Sequence, residues 1–143
     1  MEKYIIEGGR PLCGEAEIQS AKNAVLPLLA ASVLTAARVV IHKCPRIADV
    51  LNMVGILGEL GCKTEFDGED LTIDSADAAN HEIPSALAKE LRSSVFMLGS
   101  VVSRFGRARI AYPGGCDIGL RPIDLHLNGL RRLGVSVSED GGY

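Results

Sequence analysis

The sequence has no tryptophan and only 4% aromatic residues, so its core is aliphatic and it offers no row of stacking platforms for nucleobases. Basic charge does not dominate: 15 lysines and arginines stand against 18 acidic residues, a formal net charge of −3, which excludes the basic stripe that a nucleic-acid surface requires. Any anion the chain binds must therefore be met locally. The cysteines Cys13, Cys44, Cys62 and Cys116 lie 31, 18 and 54 residues apart, with no C-x-x-C pair and no histidine at a ligand interval, so neither a metal site nor any other cofactor is expected. The opening Met1-Glu2-Lys3-Tyr4 lacks the basic and apolar regions of a secretory signal. Scattered thiols in such a chain read as reduced cysteines in a cytoplasm. The longest weakly polar run, residues 24–37, is broken by Pro27, Ser32 and Thr35 and is too short to span a bilayer.

What is present is enough apolar residue, 47% of 143, to bury the core of one domain. An internal repeat organises it. Ser32-Val33-Leu34 recurs as Ser100-Val101-Val102, Arg38-Val39-Val40-Ile41 as Arg107-Ala108-Arg109-Ile110, Leu60-Gly61 as Leu133-Gly134, and Asp67-Gly68 as Asp140-Gly141. The offset is 68 or 69 before residue 113 and 73 after residue 119, so several residues have been inserted in the second copy. The expected division is a leading segment 1–21, a first unit 22–80 and an incomplete second unit 81–143.

Each unit reads as mixed α and β. The first predicts a helix over 24–34 with Pro27 in its first turn, a strand over 38–42, a helix capped by Asp49 and running to Leu60, and a hairpin of 63–66 and 71–74 around Asp67-Gly68. The second repeats the order with a helix over 93–103, a strand over 108–112, a helix over 124–133, a strand over 135–138 and a turn at Asp140-Gly141.

The insertion is the most distinctive stretch of the chain. Pro113-Gly114-Gly115-Cys116-Asp117-Ile118-Gly119 runs into Leu120-Arg121-Pro122-Ile123-Asp124, and its glycines free the backbone to approach a ligand while placing a thiol near a guanidinium. Two further cationic positions occupy matching places in the repeat. Lys22-Asn23 stands at the start of the first helix of unit one, and Arg92 lies close to the corresponding point of unit two. Cations at a helix N-terminus oppose the dipole unless an anion joins them, so these positions read as contacts for phosphate or carboxylate, with solvated surface charge as the alternative.

Gln19-Ser20-Ala21-Lys22-Asn23-Ala24, Arg92-Ser93-Ser94, Arg104-Phe105-Gly106 and the run from Pro113 to His126 together resemble the enolpyruvyl transferase family, and within it the enzymes that act on UDP-N-acetylglucosamine. The resemblance implies an α/β (α+β) fold, an inside-out α/β barrel of β-α-β-α-β-β repeats, of which this chain holds two units of one domain. It also implies the reaction. The sugar 3-hydroxyl attacks C2 of phosphoenolpyruvate while a proton goes to C3, and phosphate leaves the resulting ketal, opening peptidoglycan synthesis in the cytoplasm.

By the same resemblance, Cys116 is the proton donor and the thiol that fosfomycin alkylates, a role suited to a group able both to donate a proton and to act as a nucleophile. Lys22 and Asn23 hold phosphoenolpyruvate, Arg92 contacts the nucleotide sugar, and Arg121, Pro122, Ile123, Asp124 and Leu125 bind the UDP moiety. Asp124 accepts a hydrogen bond from uracil and also caps its helix, with capping alone as the alternative. His126 reads as structural. Asp117 departs from the small apolar residue of the family pattern, and an adjacent carboxylate is expected to disfavour the Cys116 thiolate and so to weaken its reaction with fosfomycin. Family members are much longer, so the chain by itself is expected to be inactive and to self-associate through apolar helix faces and an unpaired strand at 135–138. The alternatives are 3-phosphoshikimate 1-carboxyvinyltransferase, whose pattern has Lys-Ser where Lys22-Asn23 stands and lacks the cysteine loop, and a non-catalytic UDP-sugar-binding or assembly module.

Overall fold

The computed structural model describes residues 3–114 and 122–143. Residues 3–20 run without regular structure, and Tyr4, Ile5, Ile6, Leu12 and Ile18 are all largely exposed. The first helix, α1 (Lys22–Ser32), continues into a short 3-10 turn (Val33–Thr35) and is followed by β1 (Arg38–Ile41). Val25, Leu26, Leu29 and Ala30 fall on one face of α1 and are buried, as the 3.6-residue period requires. The helix begins two residues earlier than the sequence predicts, so Pro27 lies beyond its first turn. Having no N–H, Pro27 cannot serve the Asn23 carbonyl one turn back.

The second helix, α2 (Ala48–Glu59), buries Val50, Met53, Ile56 and Leu57 against α1. Asp49 does not cap it. Ile47 holds the N-cap position with extended backbone and no side-chain bond, which puts Asp49 inside the first turn, where its carboxylate favours the positive end of the helix. The predicted hairpin forms as β2 (Lys63–Asp67) and β3 (Asp70–Asp74), turning through Gly68 at φ +57°. In the three-stranded antiparallel sheet β3 is central, flanked by β1 and β2. Val39, Ile73 and Thr64 stand in one register across it, and Ile41, Leu71 and Phe66 in another, so the inward face meets the helices while Lys63, Glu65 and Asp70 face out.

The second unit departs further from expectation. The stretch 81–92, given no element by pattern, contains β4 (Glu82–Ile83) and α3 (Ser85–Glu90). The predicted helix over 93–103 divides into a 3-10 turn (Arg92–Val95) and α4 (Phe96–Phe105), which ends at Gly106 in the left-handed conformation, φ +72°. Then β5 (Arg109–Ile110), shorter than predicted, pairs in parallel with β4, aligning Ile83 with Ile110. The last helix, α5 (Asp124–Arg132), has Ile123 at its N-cap position and no side-chain cap, so Asp124 is a first-turn residue and its predicted capping role is corrected.

No strand forms at 135–138. The equivalent β2 is held by the ladder of β3, whereas 135–138 pairs with no described strand. Instead, the Val135 N–H bonds the Leu130 carbonyl, Gly134 takes φ +91°, and Val137 packs beside Val95, Ile123 and Leu127. The turn at Asp140-Gly141 does form: Asp140 and Tyr143 exchange backbone hydrogen bonds, and the Tyr143 ring lies 3.8 Å from the Arg109 guanidinium.

Candidate functional site

Lys22 opens α1, and its Nζ lies 2.6 Å from Asp49 Oδ2 in the first turn of α2. With no acidic residue in the first turn of α1, the Lys22 ammonium sits at the positive end of that helix, and Asp49 supplies the countercharge the position lacks. The Lys22 side chain is 49% exposed, so its ammonium is open to solvent despite the contact with Asp49. Asn23 follows on the exposed surface.

One turn along the same face of α2, Asn52 donates from Nδ2 to Glu90 Oε2 at 2.7 Å, joining α2 to the end of α3. Its Oδ1 is buried and has no hydrogen-bond partner among the described residues. Beside Glu90, the Lys89 backbone is approached so closely by Gly114 that a Cβ there would overlap the Lys89 carbonyl. Gly114 is the root of the cysteine loop. Half-buried Arg92 begins the 3-10 turn two residues after Glu90, and Val95 at the end of that turn packs on Ile123.

The predicted site residues therefore fall into three groups. Lys22 and Asn23 lie at the α1 end of a polar row that continues through Asp49, Asn52 and Glu90 to the loop root. Arg92 is linked to the 122–125 segment through Val95 and Ile123. Within that segment Ile123 is 5% exposed and its side chain belongs to the core, whereas Pro122, Asp124 and Leu125 are exposed. Cys116 and Arg121, with Asp117, lie outside the described residues. Sequence reasoning missed Asp49 as a partner of Lys22, and missed Asn52 and Glu90 altogether. The available signal was Asp49 and Asn52 one turn apart on a helix otherwise apolar as far as Gly58.

The described thiols are of two kinds. Burial pushes the Cys62 thiol up to about 11, with Arg104 nearby opposing part of the rise, and burial also raises Cys44. Cys13 is exposed. Among the described residues no cluster of three or more His, Cys, Asp or Glu side chains is arranged to hold a metal ion, and no helix is long and apolar enough to cross a membrane.

Comparison with known proteins defines the class. A sequence model of the EPSP synthase (3-phosphoshikimate 1-carboxyvinyltransferase) family matches residues 6–143. UDP-N-acetylglucosamine 1-carboxyvinyltransferase 2 of Caldanaerobacter subterraneus subsp. tengcongensis is 50% identical over 143 residues, which are 100% of this chain and 34% of that protein. The UDP-N-acetylglucosamine 1-carboxyvinyltransferase of Chloroherpeton thalassium is 40% identical, again over 100% of this chain and 34% of its own length. The crystal structure of the enolpyruvyl transferase NikO from Streptomyces tendae superposes with a TM-score of 0.77 at 28% identity, covering 94% of this chain and 30% of that one. The chain belongs to the EPSP synthase family, a family of carboxyvinyl (enolpyruvyl) transferases. It spans about a third of the length of the curated relatives it matches.

Proposed function

We propose that this chain forms part of an enzyme that transfers the enolpyruvyl group of phosphoenolpyruvate to the 3-hydroxyl of UDP-N-acetylglucosamine with release of phosphate, the cytoplasmic opening step of peptidoglycan synthesis. The observation that carries this reading is identity of 40–50% along the whole chain with proteins named for that reaction. In it, Lys22 and Asn23 receive phosphoenolpyruvate, the Lys22 ammonium leaving Asp49 for the phosphate. Arg92 and the 121–125 segment receive the nucleotide sugar. Cys116 protonates C3 as the sugar oxygen bonds to C2, and a later loss of a C3 proton expels phosphate and restores the double bond. The segments 22–80 and 81–143 serve as two units of an inside-out α/β barrel, with 1–21 as a leading segment.

The family's name favours one competing acceptor, 3-phosphoshikimate. A chain extended to the length of the relatives, assayed for phosphate release from phosphoenolpyruvate with each acceptor, separates the two. Release with UDP-N-acetylglucosamine only, largely abolished by Cys116→Ser, is the expected result. Release with 3-phosphoshikimate only overturns the proposal. The 143-residue chain alone is expected to release no phosphate above background.

A further inference from the structure

We propose that Asn52 is a positioning residue of this site, clamping the end of α3 through Glu90 so that Arg92 and Gly114 are held at fixed places relative to α2. The inference rests on reading this corner as part of a UDP-sugar site. Because Nδ2 donates to the Glu90 carboxylate at 2.7 Å, the amide orientation is set and Oδ1 must point the other way. There it is buried without a partner among the described residues. A buried unsatisfied oxygen carries the full desolvation cost of the group, which an aliphatic residue at this place in α2 would avoid.

What the carboxamide does instead is mechanical. Helix α3 has only six residues, too few to hold its own shape, so its end is set by what grips it. Asn52 grips Glu90 from α2, Gly114 closes on the neighbouring Lys89 backbone, and the turn carrying Arg92 starts two residues on. The same face of α2 carries Asp49, which holds Lys22. Asn52 thereby sets the spacing between the Lys22 and Arg92 ends of the site.

The test uses the 15N-labelled chain, its amide spectrum and a titration with UDP-N-acetylglucosamine. In Asn52→Ala the amide resonances of Arg92 and Gly114 should move while those of Ile73 and Val101 stay, and affinity should fall about tenfold. Glu90→Gln, whose amide oxygen still accepts from Asn52 Nδ2, should keep the resonances in place and the affinity within about twofold of wild type. Local shifts with unchanged affinity, no shift at Arg92 and Gly114 in Asn52→Ala, or a Glu90→Gln variant that behaves like Asn52→Ala would each overturn the proposal. If Asn52→Ala does not fold, Glu90→Ala reads the same contact from the exposed side. Should the 143-residue chain bind no UDP-sugar, the same affinities are read on the chain extended to the length of the relatives, and a wild-type extended chain that binds none defeats the functional reading, while the resonances decide the positioning role.

Discussion

Gly114 and Lys89 meet backbone to backbone, with no room for a side chain between them. Replacing Gly114 with alanine should therefore force the loop root off α3 and cost about 1–3 kcal/mol in urea unfolding, as overpacking does. Gly58 is the control. It lies exposed near the end of α2 with nothing near its vacant Cβ position, so Gly58→Ala should stabilise by about 0.5–1 kcal/mol. Effects of the same sign at both positions would mean that the contact with Lys89 does not form in solution.

Thiol chemistry should sort the cysteines by environment. Cys44 and Cys62 are buried with raised pKa values and should resist limited iodoacetamide labelling until the chain unfolds. Exposed Cys13 should react, and Cys116, set among glycines and followed by Arg121, should react faster still. Peptide mapping by mass spectrometry after partial alkylation gives the order. Labelling that favours any of the other three over Cys116 would remove the case for a special loop thiol.

Stability should also decline in mild alkali through Cys62. The folded chain retains a proton up to about 11, whereas the unfolded thiol releases it near 9.0. The unfolded state therefore binds fewer protons between those values, and folding stability falls as pH rises through that window. Denaturation midpoints at pH 7, 9 and 10.5 should drop more for the wild type than for Cys62→Ala. Parallel curves would assign the loss to other groups.

Periodicity exposed the first unit well, because its helices bury complete apolar stripes and its hairpin alternates around Asp67-Gly68; α1, α2, β2 and β3 all appear within two residues of expectation. The second unit was less legible for reasons of length and context. β4 has two residues and α3 six, too short to show a period, and Pro84 immediately ahead of α3 resembles a loop signal. Residues 135–138 alternate like a strand, but alternation supplies a face and not a partner, so they stay irregular. The caps failed similarly: Asp49 and Asp124 are good N-cap residue types, yet each lies one or two positions inside its helix, and only the contact with Lys22 reveals what Asp49 does. Lys22, Asn23 and Arg92 were legible as cations or amides where helices begin. Asn52 and Glu90 were not, since their pairing joins residues 38 apart.

The pairing of Lys22 with Asp49 makes a final, sharper prediction. An exposed ion pair contributes only about 0–1 kcal/mol to folding, so neither Lys22→Gln nor Asp49→Asn should shift the unfolding midpoint much. Their effects on anion binding should be opposite. Lys22→Gln removes the charge proposed to meet phosphate and should weaken phosphoenolpyruvate binding about tenfold. Asp49→Asn removes the competitor while leaving an oxygen that can still orient the ammonium, and should strengthen binding severalfold at low salt, with the gain shrinking as added salt screens the free lysine. Titration of both variants with phosphoenolpyruvate, followed through the amide resonances of Lys22 and Asn23, gives the comparison. Weaker binding in Asp49→Asn would show instead that the carboxylate's charge is what holds Lys22 in its binding position, and the competitive reading of the pair would have to be given up.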